Sequence, residues 1–416
     1  MLRDISARNI EQSITTLASF GTRHTLSSQT DPNRGIGAAT NWVFDQFSRY
    51  AADSNGRLTV ERQTFIQPPG PRNPEPVAVT NVIATLHGSQ PESADRIYLV
   101  SGHLDSRCTN VLDFTCDAPG ADDDASGVAA VLELARVMSK HSFDATIKFV
   151  AFSGEEQGLF GSTFFANQAA AAHMNIAGMF SNDIVGSSLG MNGVRDRRNL
   201  RVFAQGPWAN ETPQEAAIRR TMGGENDSPP RQLARFVREA AQAAVPHMNV
   251  PHMNVWIIYR RDRFLRGTDD GPILDHRYPG RRMSEPNEDY RHEHQNVPVE
   301  NGVQFGDLVQ FVDFKHTANV ARVNLAALAA LANGPAARRG VQVEAGTLTV
   351  DTTLMWQPNT EPDLAGYEIV YCDTNMPHWQ HTIPVGNVTS FTVRGSRRTT
   401  SSSACAPSTE TATAAS

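Results

Sequence analysis

An α/β fold with a mostly parallel central sheet and helices on both faces is expected from two features of the sequence. A third adds a small C-terminal β-sandwich-like module. Strand-like and helix-like stretches alternate between residues 10 and 332, the pattern of a sheet wound with helices. Several of the strands are apolar along nearly their whole length, as strands covered on both faces must be. From "LTVDTTLMWQPN" to "TSFTVRG" the pattern changes to short alternating strands separated by turn residues, which suits a β-sandwich.

Taken in order, Ile10, Ile14, Leu17 and Phe20 mark a first helix, and Val43, Phe44 and Phe47 share one face of a second. "TVERQTFIQ" alternates as a strand, and "PPGPRNPEP" breaks the chain. "TNVIATLHG" and "RIYLVSGHLDS" are the next strands. "SGVAAVLELARVMSK" is an amphipathic helix carrying Val128, Val131, Leu132, Leu134, Ala135 and Met138. "ATIKFVAFSG" is a buried strand ending at Gly154, "EEQGLFGSTFFANQAAAA" passes from loop to helix, and "IAGMFSNDIVG" is a strand ending at Asp183. A helix ("RQLARFVREAAQAA"), a strand ("VWIIYRR") and a long helix ("HTANVARVNLAALAALA") follow. The tandem "PHMNV" at 246–250 and 251–255 is too short for a structural repeat and reads as a loop insertion before a strand. The expected domains are therefore 1–338, an α/β domain, and 339–398, the β module. Residues 399–416 are rich in Ser, Thr and Ala, offer little to bury, and are expected to be disordered.

The composition bounds the function. Forty per cent hydrophobic and 19% charged residues over 416 positions is globular. A formal charge of −7 argues against nucleic acid or an anionic membrane as the main partner. No apolar run approaches the roughly 20 residues needed to span a bilayer. "MLRDISARNIEQSITTLASF" lacks the apolar core of a signal peptide, so an export signal would have to precede Met1. Of the four cysteines, Cys108 and Cys116 bracket "CTNVLDFTC", a spacing unsuited to a zinc knuckle and suited to a disulfide-closed loop. Such a bridge implies an oxidising compartment.

The chemistry lies where strands end. In a parallel sheet, ligands collect at the carboxyl ends of the strands. Here three predicted strands end at His103, at Glu155 and Glu156, and at Asp183. "PGADDDASG" places Asp122, Asp123 and Asp124 at the start of the helix that follows the first, and "EPNEDYRHEHQN" supplies His292 and His294. Two histidines with three carboxylates suit Zn²⁺, with Co²⁺ or Mn²⁺ as substitutes. Calcium would favour more oxygen ligands and a glycine-punctuated loop. Two zinc ions, three ligand carboxylates and one hydroxide sum to neutrality, which answers how the aspartate run is tolerated. Asp105 is placed to orient His103 from behind. Glu155, beside Glu156, is the carboxylate left over to handle protons; the competing role for the pair is to cap the next helix.

In "SGHLDS", "PGADDDASGVAAVLELAR", "AFSGEEQGLFGS", "NDIVG" and "EPNEDYRHEHQNV" the chain resembles the co-catalytic two-zinc aminopeptidases, whose wider family includes glutamate carboxypeptidase, glutaminyl cyclase and the transferrin receptor ectodomain. The resemblance spans about residues 10–335 in order. It implies that His103 and Asp183 hold one zinc, Glu156 and His292 the other, and Asp123 bridges both. It selects Asp123 by the Asp-x-x-Ser-Gly pattern, and His292 over His294 because the ligand histidine is followed three residues later by Gln or a similar residue. Glu155 becomes the general base acting on a metal-bridging water. The substrates implied are peptides with a free N-terminus, and the setting is secreted or periplasmic. The alternatives are a single-zinc glutaminyl cyclase-like enzyme, a carboxypeptidase that pairs Arg281 or Arg282 with a substrate carboxylate, and a non-catalytic binding protein. One departure is expected to alter the substrate pocket: Asp270 in Thr268-Asp269-Asp270 replaces the histidine of the family's Ser/Gly-Asp-His. Residues 343–398 resemble the first strands of a fibronectin type III-like module, with the last strands unrecognisable.

Overall fold

Ser6 opens α1 (Ala7–Ser19), its hydroxyl accepting the Asn9 amide. The helix turns Ile10, Ile14 and Leu17 into the core, and α2 (Ile36–Ala52) follows with Val43 and Phe47 fully buried. The structure is a computed structural model, and it describes residues 1–222, 224–247, 253–337, 340–344, 346, 349–373, 376–395 and 401–409, the last nine by backbone alone. Residues 248–252, half of the tandem "PHMNV" pair, lie outside the described residues.

Eight strands form one sheet: β1 (Leu58–Gln67), β2 (Val77–Leu86), β3 (Arg96–His103), β4 (Thr146–Phe152), β5 (Asn175–Asn182), β6 (Asn199–Phe203), β7 (Asn254–Ile258) and β8 (Gly280–Ser284). Their order is β1-β2-β4-β3-β5-β8-β6-β7. β4, β3, β5 and β8 run parallel at the centre, as do β6 and β7, while β1, β2 and the β6–β8 pairing are antiparallel. The remaining helices are α3 (Ala125–Met138), α4 (Phe160–Ala171), α5 (Pro213–Met222), α6 (Pro229–Ala244), α7 (Asp270–Asp275) and α8 (Phe314–Asn333).

Alternation along the strands divides the core in two. Val100, Phe149, Ala151 and Phe180 face α1, α2, α3, α6 and α8. Leu99, Val150, Phe152 and Met179 face α4 and α7 on the other side. Covering the central strands on both faces leaves their carboxyl ends as the accessible edge. Among the described residues no helix is long and apolar enough to cross a membrane.

One histidine is buried far from any sequence signal of function. His316, in the first turn of α8 and 1% exposed, is pushed down to about 4 by burial. The unfolded chain takes up this proton below about 6.5 and the fold does not until about 4. Stability is therefore full above the unfolded value and is lost as pH falls through that window. Between pH 7 and pH 5 the protein is expected to lose about 2 kcal/mol more than a His316→Leu variant. Urea unfolding of both at the two pH values measures it; equal losses would rule out His316 as the cause.

After two short strands, β9 (Val299–Glu300) and β10 (Val303–Gln304), the C-terminal module forms two three-stranded sheets. One contains β11 (Gln342–Val343), β12 (Thr352–Met355) and β15 (Ser390–Val393). The other contains β13 (Leu364–Asp373), β14 (His381–Gly386) and β16 (Ser401–Thr409). Leu354, Trp356, Tyr367 and Ile369 pack between them, and a buried Arg96–Glu361 ion pair at 3.6 Å ties the module to β3. The expectation of disorder from 399 onward is corrected over Ser401–Thr409, whose backbone pairs antiparallel with β13. Strand addition uses main-chain hydrogen bonds, so a Ser/Thr/Ala stretch with no core-forming side chains can still close a sheet.

Candidate metal centre

β3 sits between β4 and β5, and the three parallel strands end at one edge. His103 is the last residue of β3, Glu155 and Glu156 follow β4, and Asp183 follows β5. The strand order alone thus brings four predicted residues together. The chain returns from β3 through a loop closed by the Cys108–Cys116 disulfide, which the structure contains.

The aspartate run then divides its labour. Asp124 caps α3, its carboxylate accepting the amides of Gly127 (3.0 Å) and His103 (2.8 Å). Asp122 accepts the Gly186 amide at 2.7 Å and shares a hydrogen bond with Glu285; burial pushes it up to about 6. The Asp307 carboxylate accepts the amides of both Asp122 and Asp123. Asp123 is left to point into the site, where Oδ1 lies 3.0 Å from His103 Nε2 and Oδ2 lies 2.8 Å from His294 Nε2.

Each imidazole has further carboxylates beside it. One ligand-type atom each from His103, Asp123 and Asp183 lies within 4.8 Å of the others, and the same holds for Asp123, Glu293 and His294. Glu156 Oε1 is 3.0 Å from His294 Nε2. His103 is aimed by its other nitrogen, with Nδ1 3.0 Å from the Asp105 carbonyl oxygen. That contact leaves Nε2 as the free lone pair. The Asp105 carboxylate does something else: it accepts the amides of Gly154, Glu155 and Glu156 and the Thr25 hydroxyl. It is the anchor of the turn that presents both glutamates.

Electrostatics describe a cluster short of positive charge. Burial works against a charge on Asp123, yet His294 and His103 hold its carboxyl well below the ordinary range. Burial also opposes charge on His103, and Asp124 and Asp123 still hold it well above its ordinary value. Burial followed by the pull of Glu156 and Asp123 sets His294 the same way, with a raised result. Burial drives Glu155 well above the usual carboxylate value. Two imidazoles gathering protons between carboxylates mark a place fit for cations. The donor set, two imidazoles and several carboxylates, suits zinc.

His292 is not in this cluster, and its expected role as a ligand is corrected. A turn bonds the His292 amide to the Asp289 carbonyl at 2.8 Å. The ring stacks on Phe311 with centroids 3.5 Å apart, and Nδ1 lies 3.7 Å from Asp289. It lines a separate cavity with Asp313 and Gln310, while His294, two residues on, lines the cleft above Asp123. Arg281 and Arg282 are both fully buried and line neither the cleft above Asp123 nor the cavity beside His292. Arg282 bonds Asp183 (2.8 Å) and Asp262 (3.2 Å), and Arg281 lies over the Phe180 ring at 3.5 Å. Neither is available to a substrate carboxylate. Asp270 is buried at the start of α7 beside Gly280 and does not line the cleft. Sequence reasoning gave no role to Glu293, to Arg107, which holds Glu156 at 2.9 Å, or to Asp269, buried near His103 and pushed up to about 7 by burial. Glu293, standing between the two histidines of "HEH", carried a readable signal.

Residues 81–249 match the sequence model of Peptidase family M28. A probable zinc metalloprotease of Leptosphaeria maculans is 48% identical over 393 residues, covering 94% of this chain and 90% of that one. The chain belongs to peptidase family M28. Another relative, a probable zinc metalloprotease of Pyricularia oryzae, is 45% identical over 398 residues, covering 94% of this chain and 78% of that protein. Among solved structures, LapB from Legionella pneumophila superposes with a TM-score of 0.55 at 18% identity over 80% of this chain and 73% of its own. An aminopeptidase from Aneurinibacillus gives 0.53 at 17% over 80% and 95%. At such identities these structures speak for the fold, a mixed sheet with helices on both faces.

Proposed function

We propose that this M28 peptidase is a zinc-dependent exopeptidase that removes residues from the N-terminus of peptides. The observation that carries the reading is Asp123 held between two imidazoles, each with further carboxylates beside it. In this reading His103 and Asp183 would hold one zinc and Glu156 and His294 the other, with Asp123, which lies between the two imidazoles, available to both. Bound zinc supplies a Lewis acid for the scissile carbonyl and lowers the pKa of water toward about 7.

The chain's own residues do the rest. Glu155 lines the cleft and is not needed as a ligand, so it takes the proton of the attacking water as its oxygen adds to the carbonyl carbon. Glu155 then delivers that proton to the amide nitrogen as the carbon–nitrogen bond breaks. Asp105 fixes where Glu155 stands. A cleft of about 260 Å³ has room for the end of a peptide and little more. The Cys108–Cys116 bridge supports passage through an oxidising compartment.

Metal content per chain, with hydrolysis of aminoacyl chromogenic substrates before and after chelation, tests the proposal. Two zinc ions, chelator-sensitive release, and loss of release when the amine is acetylated are expected. One zinc with no release would favour the cyclase-like reading, and no bound metal after zinc is restored would overturn the ligand set.

A further inference from the structure

A second concavity adjoins the catalytic cleft. It has a volume of about 580 Å³, and Arg263, Leu265 and Arg266 line both. Among the described residues no carboxylate lines it, although the chain carries a net charge of −7. Four arginines do line it. Arg201 and Arg263 are committed to the buried Glu288 carboxylate. Arg260 and Arg266 have no ion-pair partner among the described residues. Phe264 and Leu265, 75% and 87% exposed, line it from the loop whose Leu265 also reaches the catalytic cleft, and half-exposed Tyr290 lines it as well. Apolar side chains this exposed beside uncommitted guanidinium groups form a surface for a ligand with both apolar and anionic parts.

We infer that this groove receives the substrate's downstream segment and selects peptides carrying Glu or Asp shortly after the scissile bond. The inference rests on the exopeptidase reading and deepens it. A free ammonium end belongs at the carboxylates beneath the cleft, so the remainder of the chain leaves over Leu265 and Arg266, which line both hollows. An acidic residue there meets the guanidinium groups of Arg260 and Arg266, neither of them paired with a carboxylate among the described residues.

The test uses the full chain and peptides of one length, each with Leu first and either Glu or Gln at positions two to four. Wild-type kcat/KM is expected to be about tenfold higher for the Glu peptides, mainly through KM, with the advantage shrinking at high salt. In Arg260→Gln/Arg266→Gln the Glu-to-Gln ratio is expected to fall to near one. Equal wild-type rates for the two peptides, or an unchanged ratio in the double variant, would overturn the groove. Fluorescence anisotropy with the same peptides labelled at the C-terminus reads binding without turnover. If neither peptide is cleaved, the exopeptidase reading fails, while preferential binding of the Glu peptide, lost in the double variant, still upholds the groove. No binding preference in that case would overturn it.

Discussion

His294→Ala is expected to lower zinc affinity by more than about 100-fold and abolish peptide hydrolysis, while His292→Ala leaves metal content unchanged. Removing His294 strips one side of Asp123 and leaves Glu156 facing Asp123 without the imidazole between them. Removing His292 costs a stacking contact with Phe311 at a distance from the cluster. Metal analysis of dialysed protein, followed by titration with zinc, separates the two. Equal metal loss in both variants, or loss only in His292→Ala, would return the ligand role to His292.

The second large effect is expected at Glu155. Glu155→Gln keeps the shape of the turn and its amide bond to Asp105 but cannot carry a proton. A fall in kcat of about 10²- to 10⁴-fold, with zinc content and KM close to wild type, is the expected result. Glu155→Asp is expected to recover part of the rate. If the glutamine variant retained more than a tenth of the activity, another group would have to move the proton, and Asp269, near both His103 and Glu155, would be the one to examine.

These two positions also mark what could be read in the sequence and what could not. Glu155, Glu156, His103 and Asp183 were legible because a parallel strand fixes both the direction and the depth of the residue at its carboxyl end. Three apolar runs ending in ligand types therefore predict one edge. The aspartate run was placed at the start of a helix, and the choice of Asp123 within it rested on the Asp-x-x-Ser-Gly resemblance. The choice between His292 and His294 had no such support. Both lie on irregular chain, where His294 adopts a positive φ of 53° and the preceding turn wraps His292 back toward Asp289. Spacing to a later glutamine carries no information about such a turn. The burial of Arg281 and Arg282 was likewise hidden, since arginine is almost never fully buried unless paired and the partners of Arg282, Asp183 and Asp262, lie far off in sequence. The nine-residue pairing of Ser401–Thr409 with β13 is a matter of backbone, which composition does not express.

Asp105 gives the site a common datum. Its carbonyl oxygen meets the imidazole at the end of β3, and its carboxylate meets three successive amides beyond β4. The spacing between the His103 imidazole and the turn that carries Glu155 and Glu156 is therefore referred to a single residue and not to the sum of two loops. Under the proposed roles, base and ligands would share one anchor, so the alignment on which proton transfer would depend is set by a single residue where groups hung from separate loops would each add their own error.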